Sequence, residues 1–186
     1  MERLLSVFFV LILTSTLALS QEFGKEGVIE FGGNASFQST TPVAEGETGD
    51  ATTTIMLSPT VGYFVIDGVE VGVDPLSYTS VSYPKPIDKT YSTIGFWAFG
   101  AYHFMTMGTT YPYVQALVGY TSASNGKSAS GLAYGAAIGA KFEVASGLLI
   151  NASAQYRFYT YTPEDADKRW GDNVLSLGVG ISGFLK

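Results

Sequence analysis

The 186-residue chain contains one histidine, His103, and no cysteine. A lone imidazole acts as a general base only beside a nucleophilic hydroxyl and an orienting carboxylate, and its context "AYHFMT" offers no local serine. Without cysteine there is neither a disulfide nor a soft-metal site, and a single histidine leaves only carboxylates as further ligands. The sequence therefore marks no catalytic, cofactor-binding or metal-binding residue. What stands out is a set of ionisable residues placed singly within otherwise apolar stretches: Glu30, Glu70, His103, Lys141 and Arg157.

Two other patterns resolve into ordinary structure. The triplet "NAS" at Asn34 and Asn151 matches a glycosylation acceptor, but both asparagines fall in mid-strand on the polar face of an alternating run. The acidic stretch "TPEDADKRWGD" reads as a solvated loop. No glycine-rich phosphate loop or nucleotide fingerprint is present, because the glycines alternate along strands.

The elements that position these residues are strands. Past residue 20 no segment holds the 3.6-residue apolar period, whereas segments of about ten residues alternate with period two. Ile29, Phe31, Ala35 and Phe37 oppose Glu30, Gly32, Asn34 and Ser36; Ile55, Leu57, Val61 and Tyr63 oppose Thr52, Thr54, Ser58 and Thr60; Val69, Val71 and Val73 oppose Glu70, Gly72 and Asp74. Pro75 blurs the register, so the faces of Leu76 and Tyr78 stay open. Residues 92–104 and 111–121 put Phe96, Tyr102 and Phe104, then Val114, Ala116, Val118 and Tyr120, on their apolar faces, although Trp97 and Phe99 make the other face of 92–104 less polar. Three cleaner runs follow, carrying Leu132 to Phe142, Leu148 to Phe158 and Leu175 to Ile181 on their apolar faces. The total is roughly eight strands.

The connections alternate in length. Short links lie at Asp67-Gly68, "TMGTT" and "EVASG", and longer polar ones at 39–50, 83–90, 122–130 and 162–171. Short turns on one side and long loops on the other is the arrangement of outer-membrane barrels. The polar face is too rich in glycine for an ordinary solvated surface, because glycine weakens a strand and is kept where space is short. The interior of an eight-stranded barrel is such a place. The large apolar residues are therefore expected to face lipid and the small polar ones the lumen, with Tyr63, Phe104, Tyr111, Phe142, Phe158 and Tyr161 in the interfacial girdles.

Composition agrees, with 14% aromatic, only 14% charged and a net charge of -6. An acidic chain argues against nucleic acid as a partner. Residues 1–20, "MERLLSVFFVLILTSTLALS", combine Arg3, an apolar run and small residues at Ala18 and Ser20, the layout of a cleaved Sec-type signal peptide. The expected organisation is signal peptide 1–20 and barrel domain 21–186. The fold class is all-β, an eight-stranded antiparallel up-and-down transmembrane β-barrel.

The stretches "SPTVGYFVIDGVEVGV", "FGAYHF" and "YPYVQALVGY" resemble the strand-turn-strand units of the small outer-membrane β-barrel proteins, the OmpA- or OmpX-like group often labelled porin family. The resemblance covers about residues 21–186. It implies residence in the outer membrane of a Gram-negative envelope, contact with outer-membrane lipids, and insertion by the barrel-assembly machinery. Such barrels usually end on an aromatic residue read by that machinery, whereas this chain ends "GISGFLK", with Phe184 two places from the end.

Three functions compete. The first is a structural or adhesive surface barrel whose four loops meet an extracellular partner. The second is a narrow pore or small-molecule transport barrel, and the third a lipid-modifying enzyme. Trp97, Phe99 and Phe64 on the lumen face favour a filled interior. Counted from the short-turn side, Glu30, Glu70, His103 and Lys141 lie at a similar height, with Arg157 well above them near the other rim. The expectation is a polar layer in which Lys141 bridges Glu30 and Glu70 and closes the periplasmic half of the lumen, as a plug and with no part in catalysis.

Overall fold

The computed structural model describes residues 22–40, 43–44, 47–48, 52–83, 89–104, 108–124, 128–163 and 170–185. The expected signal peptide, its cleavage site and the tips of the four longer loops lie outside the described residues. The elements are β1 (Ile29–Thr40), β2 (Val43–Ala44), β3 (Glu47–Thr48), β4 (Thr52–Ile66), β5 (Val69–Tyr83), β6 (Lys89–His103), β7 (Thr110–Ser124), β8 (Ser128–Ala145), β9 (Leu148–Pro163) and β10 (Trp170–Leu185). Strands β2 and β3 form a separate small hairpin, and the other eight close an antiparallel barrel in the order β1-β10-β9-β8-β7-β6-β5-β4. Closure joins the first long strand to the last, Ile29 opposite Leu185 and Glu30 opposite Phe184.

Alternation fixes the two faces. Ile55, Leu57, Val61, Tyr63, Phe96, Val118, Leu132, Ile138, Leu175 and Leu177 are exposed on the outside, the last at 76%. Water around such a wall would meet a continuous apolar surface, far more than a soluble protein shows. The closing seam pairs β1 with β10 from Ile29–Leu185 to Ala35–Val179, and along the paired stretches the strands satisfy their backbone groups within the chain. The short turns between β4 and β5 and between β8 and β9 carry glycines with positive φ, Gly68 at 77° and Gly147 at 76°, which glycine adopts without a Cβ penalty.

The strands run further than the sequence reading allows. A 15-residue strand such as β7 is about 50 Å long at ~3.3 Å per residue. Tilted by about 40° it still spans about 38 Å, more than the apolar band of about 25 Å that a membrane requires. The excess projects on the long-loop side. Residues 122–124 and 128–130, expected in a loop, are therefore paired, Ser122 with Ser130 and Ser124 with Ser128. Their small polar side chains suit strand beyond the apolar band, and such residues carry no loop signal of their own.

Two other readings are settled or corrected. The ladder between β5 and β6 shifts between Asp74 and Ser77, so Pro75 and Leu76 form a bulge. Asp74 and Ser77 both point inward, and Leu76 and Tyr78 are exposed outside. Tyr111 and Tyr161 do not join the outer girdles: both are buried. They share the inward parity of Tyr113 on β7 and Arg157 on β9, and parity along a strand outranks closeness to its end.

Candidate functional site

Among the described residues the lumen is largely filled by side chains, and the room for them is made by glycine. A Cβ on Gly119 would lie 2.6 Å from the Phe96 carbonyl oxygen and 2.6 Å from the Trp97 ring, and one on Gly62 would overlap the Glu70 carboxylate. Bulky inward residues thus lie against glycines of neighbouring strands, which is how a barrel this narrow is filled.

At the short-turn end the filling is aromatic. Phe23 has no exposed surface and makes edge contacts with Phe64, His103, Tyr111 and Phe184 at centroid distances of 4.8–5.4 Å. It is carried by a strap, residues 22–28, that turns under the barrel on Gly24 and Gly27, both at positive φ. The Gly27 amide donates to the Phe64 carbonyl at 2.9 Å, and the Gly68 amide donates to the Gly24 carbonyl at 2.8 Å. Asp67 at the β4–β5 turn accepts from the Glu26 amide at 2.9 Å and from Lys25 Nζ at 3.2 Å. The Asp67 carboxylate holds the Lys25 ammonium above its ordinary pKa. Sequence reasoning missed this strap. Its only signal is a phenylalanine followed by two turn-forming glycines just ahead of the first strand.

Immediately inward lies the polar layer. Lys141 Nζ on β8 donates to Glu30 Oε2 on β1 at 2.5 Å and stands 3.6 Å from Glu70 Oε2 on β5. His103 Nε2 on β6 is 2.8 Å from the same Glu70 oxygen. All four residues are buried. The ammonium also faces the rings of Phe23 and Tyr113, at 5.2 and 5.5 Å. Low dielectric strengthens these contacts and makes any unpaired member costly. Next come Asn34 and Asn151. Asn151 Nδ2 donates to Asn34 Oδ1 at 2.9 Å, and the Tyr113 hydroxyl donates to Asn151 Oδ1 at 3.1 Å. The two "NAS" asparagines thus meet inside the lumen. A cavity of about 40 Å³ adjoins the layer, lined among others by Thr60, Gln115 and Ser182.

Arg157 belongs to a second, higher layer. Asn151, opposite Lys141, and Arg157 are six positions apart on β9, about 20 Å along the strand. The guanidinium lies 4.6 Å from the Trp97 ring centroid and donates to Gln155 Oε1 at 2.8 Å. A cavity of about 10 Å³ beside it is lined by Ser58, Met56 and Asn34. Ser58 donates to the Asp74 carboxylate on the neighbouring strand. Trp97 packs with Leu117, Ala133 and Ala137 and with the partly buried Phe99 and Tyr159.

This arrangement pairs and screens charge, and it presents no nucleophile to the imidazole: the hydrogen-bond partner of His103 Nε2 is a carboxylate that also faces Lys141. Among the described residues no three His, Cys, Asp or Glu side chains converge as a metal site.

No family model matches the chain, and no curated protein matches it. Among the solved structures similar to it are two that align over most of both chains. Neisserial surface protein A aligns at 15% identity with a TM-score of 0.53, over 84% of this chain and 94% of that one. The outer membrane protein AlkL in DMPC lipid bilayers aligns at 13% identity with a TM-score of 0.50, over 91% of this chain and 94% of that one. Likeness at this identity is a likeness of fold: the architecture is that of the small eight-stranded outer-membrane barrels.

Proposed function

We propose that this chain is an integral outer-membrane β-barrel protein whose filled lumen anchors four surface loops that meet an extracellular partner. One observation carries the reading: a closed strand ladder turns its large apolar side chains outward and its charged ones inward, the inverse of a soluble barrel. The loop-side strand ends project beyond the apolar band, which suits presentation of those loops to the exterior. Residues 1–20 serve as a Sec-type signal peptide cut after Ser20, and outer-membrane lipids and the barrel-assembly machinery are the partners of insertion. Catalysis forms no part of this reading, because the one histidine is committed to Glu70 deep in the lumen.

The two stacked seals, the aromatic floor and the Glu30–Lys141–Glu70 layer, favour a barrel that does not conduct. Planar-bilayer recording of the refolded protein tests this, with no stepwise conductance expected. Stable open channels would move the reading to a narrow pore. That second reading draws support from the two cavities, which share Asn34 as a lining residue and so follow one another along the lumen. Protease added to intact cells reads the orientation: cuts within 39–50, 83–90, 122–130 or 162–171 are expected, with Asp67-Gly68 spared.

A further inference from the structure

The lower lumen sets two carboxylates against one ammonium. With both carboxylates ionised and the imidazole neutral, Glu30, Glu70 and Lys141 sum to one negative charge, and all are buried. Among the described residues no other charged side chain lines the cavity beside them, and Arg157 lines the higher one. Phe23, Phe64 and Phe184 close the floor. An uncompensated charge in such surroundings is strongly disfavoured.

The imidazole is poorly placed to supply the missing positive charge. Its Nε2 is engaged with Glu70, and its Nδ1 is buried with no partner in the protein. An imidazolium would bury a second N–H donor without an acceptor, whereas neutral histidine keeps a lone pair there, on a residue that lines the cavity.

The cavity suits a different source of charge. Its volume of about 40 Å³ exceeds the ~10–15 Å³ that one water occupies. Its wall carries oxygen from Glu30, Glu70, Asn34, Thr60, Tyr113 and Ser182. Lys141 and His103 bond the Oε2 atoms of the carboxylates, and among the described residues no ion pair engages either Oε1. Hard cations take oxygen ligands of these kinds, and a deficit of one charge calls for a monovalent ion.

We propose that the lower lumen binds one small monovalent cation, of the sodium or potassium class, beside the Glu30–Lys141–Glu70 triad and His103. The ion would complete the charge balance of the layer whether the barrel serves as an anchor or as a pore.

The test is the stability of the full chain refolded in detergent in sodium, potassium or choline chloride at equal ionic strength. Choline is too large for the cavity. With the ion at ten times its dissociation constant, the folded-to-unfolded ratio is expected to rise about tenfold over choline in sodium, in potassium or in both. Glu30→Gln removes the excess charge, so the variant is expected to fold and to lose the dependence on salt identity; Glu70→Gln serves as the second variant. Equal stability of the parent in all three salts would overturn the proposal, because a proton on a carboxylate would then supply the balance. Full salt dependence persisting in both variants would overturn it equally, by placing the ion elsewhere.

Discussion

Asn151 reaches across the lumen to Asn34, its side-chain amide 2.9 Å from the Asn34 oxygen, although 117 positions separate them in the chain. The contact ties β9 to β1, two strands that are not neighbours in the barrel, and it leaves neither asparagine free to carry a glycan. Replacing Asn151 with Leu would leave the Tyr113 hydroxyl and the Asn34 oxygen without their partner. A loss of about 1–3 kcal/mol per stranded buried group is expected, read from urea unfolding in detergent.

Lys141 is the sole cation of the lower layer among the described residues. Lys141→Met leaves two carboxylates facing one another in a closed space, and a destabilisation of about 3–5 kcal/mol is expected. Combining it with Glu30→Gln and Glu70→Gln should recover most of the loss, because the penalty arises from unpaired charge and not from lost volume. A triple variant as unstable as Lys141→Met would show that the layer is held by packing.

Phe23 tests the strap. Phe23→Ala removes a ring that touches four others and is expected to cost about 3–5 kcal/mol. It also uncovers the polar layer from below, so the backbone amide of Phe64, bonded to the Val28 carbonyl, should exchange faster with solvent. Unchanged exchange there would mean that the floor stays sealed without Phe23.

Gly119 tests the packing of the upper lumen. Gly119→Ala forces a methyl group against the Phe96 carbonyl and the Trp97 ring, and an overpacking cost of about 1–3 kcal/mol is expected. Unfolding measured by tryptophan fluorescence reports it directly, and a fully stable variant would show that Trp97 has room to shift.

The alternation of side chains determines by itself that this chain makes strands and which residues share a face. Glycines in the polar face identify the lumen, because eight strands leave little room inside. Glu30, Glu70, His103 and Lys141 are therefore legible one by one as inward residues. Counting from the short turns also puts them at a similar height, with Lys141 between Glu30 and Glu70; which atoms meet, and that His103 joins through Glu70, depends on pairing registers that accumulate around the whole wall, including the bulge at Pro75 and Leu76. Tyr111 and Tyr161 show the limit from the other side, since nearness to a strand end suggested a girdle while parity placed them inside. The strap was invisible for a related reason. Phe23 belongs to no periodic run, and what makes it a floor is the ring of Phe64, His103, Tyr111 and Phe184 that only closure of the barrel assembles beneath the lumen.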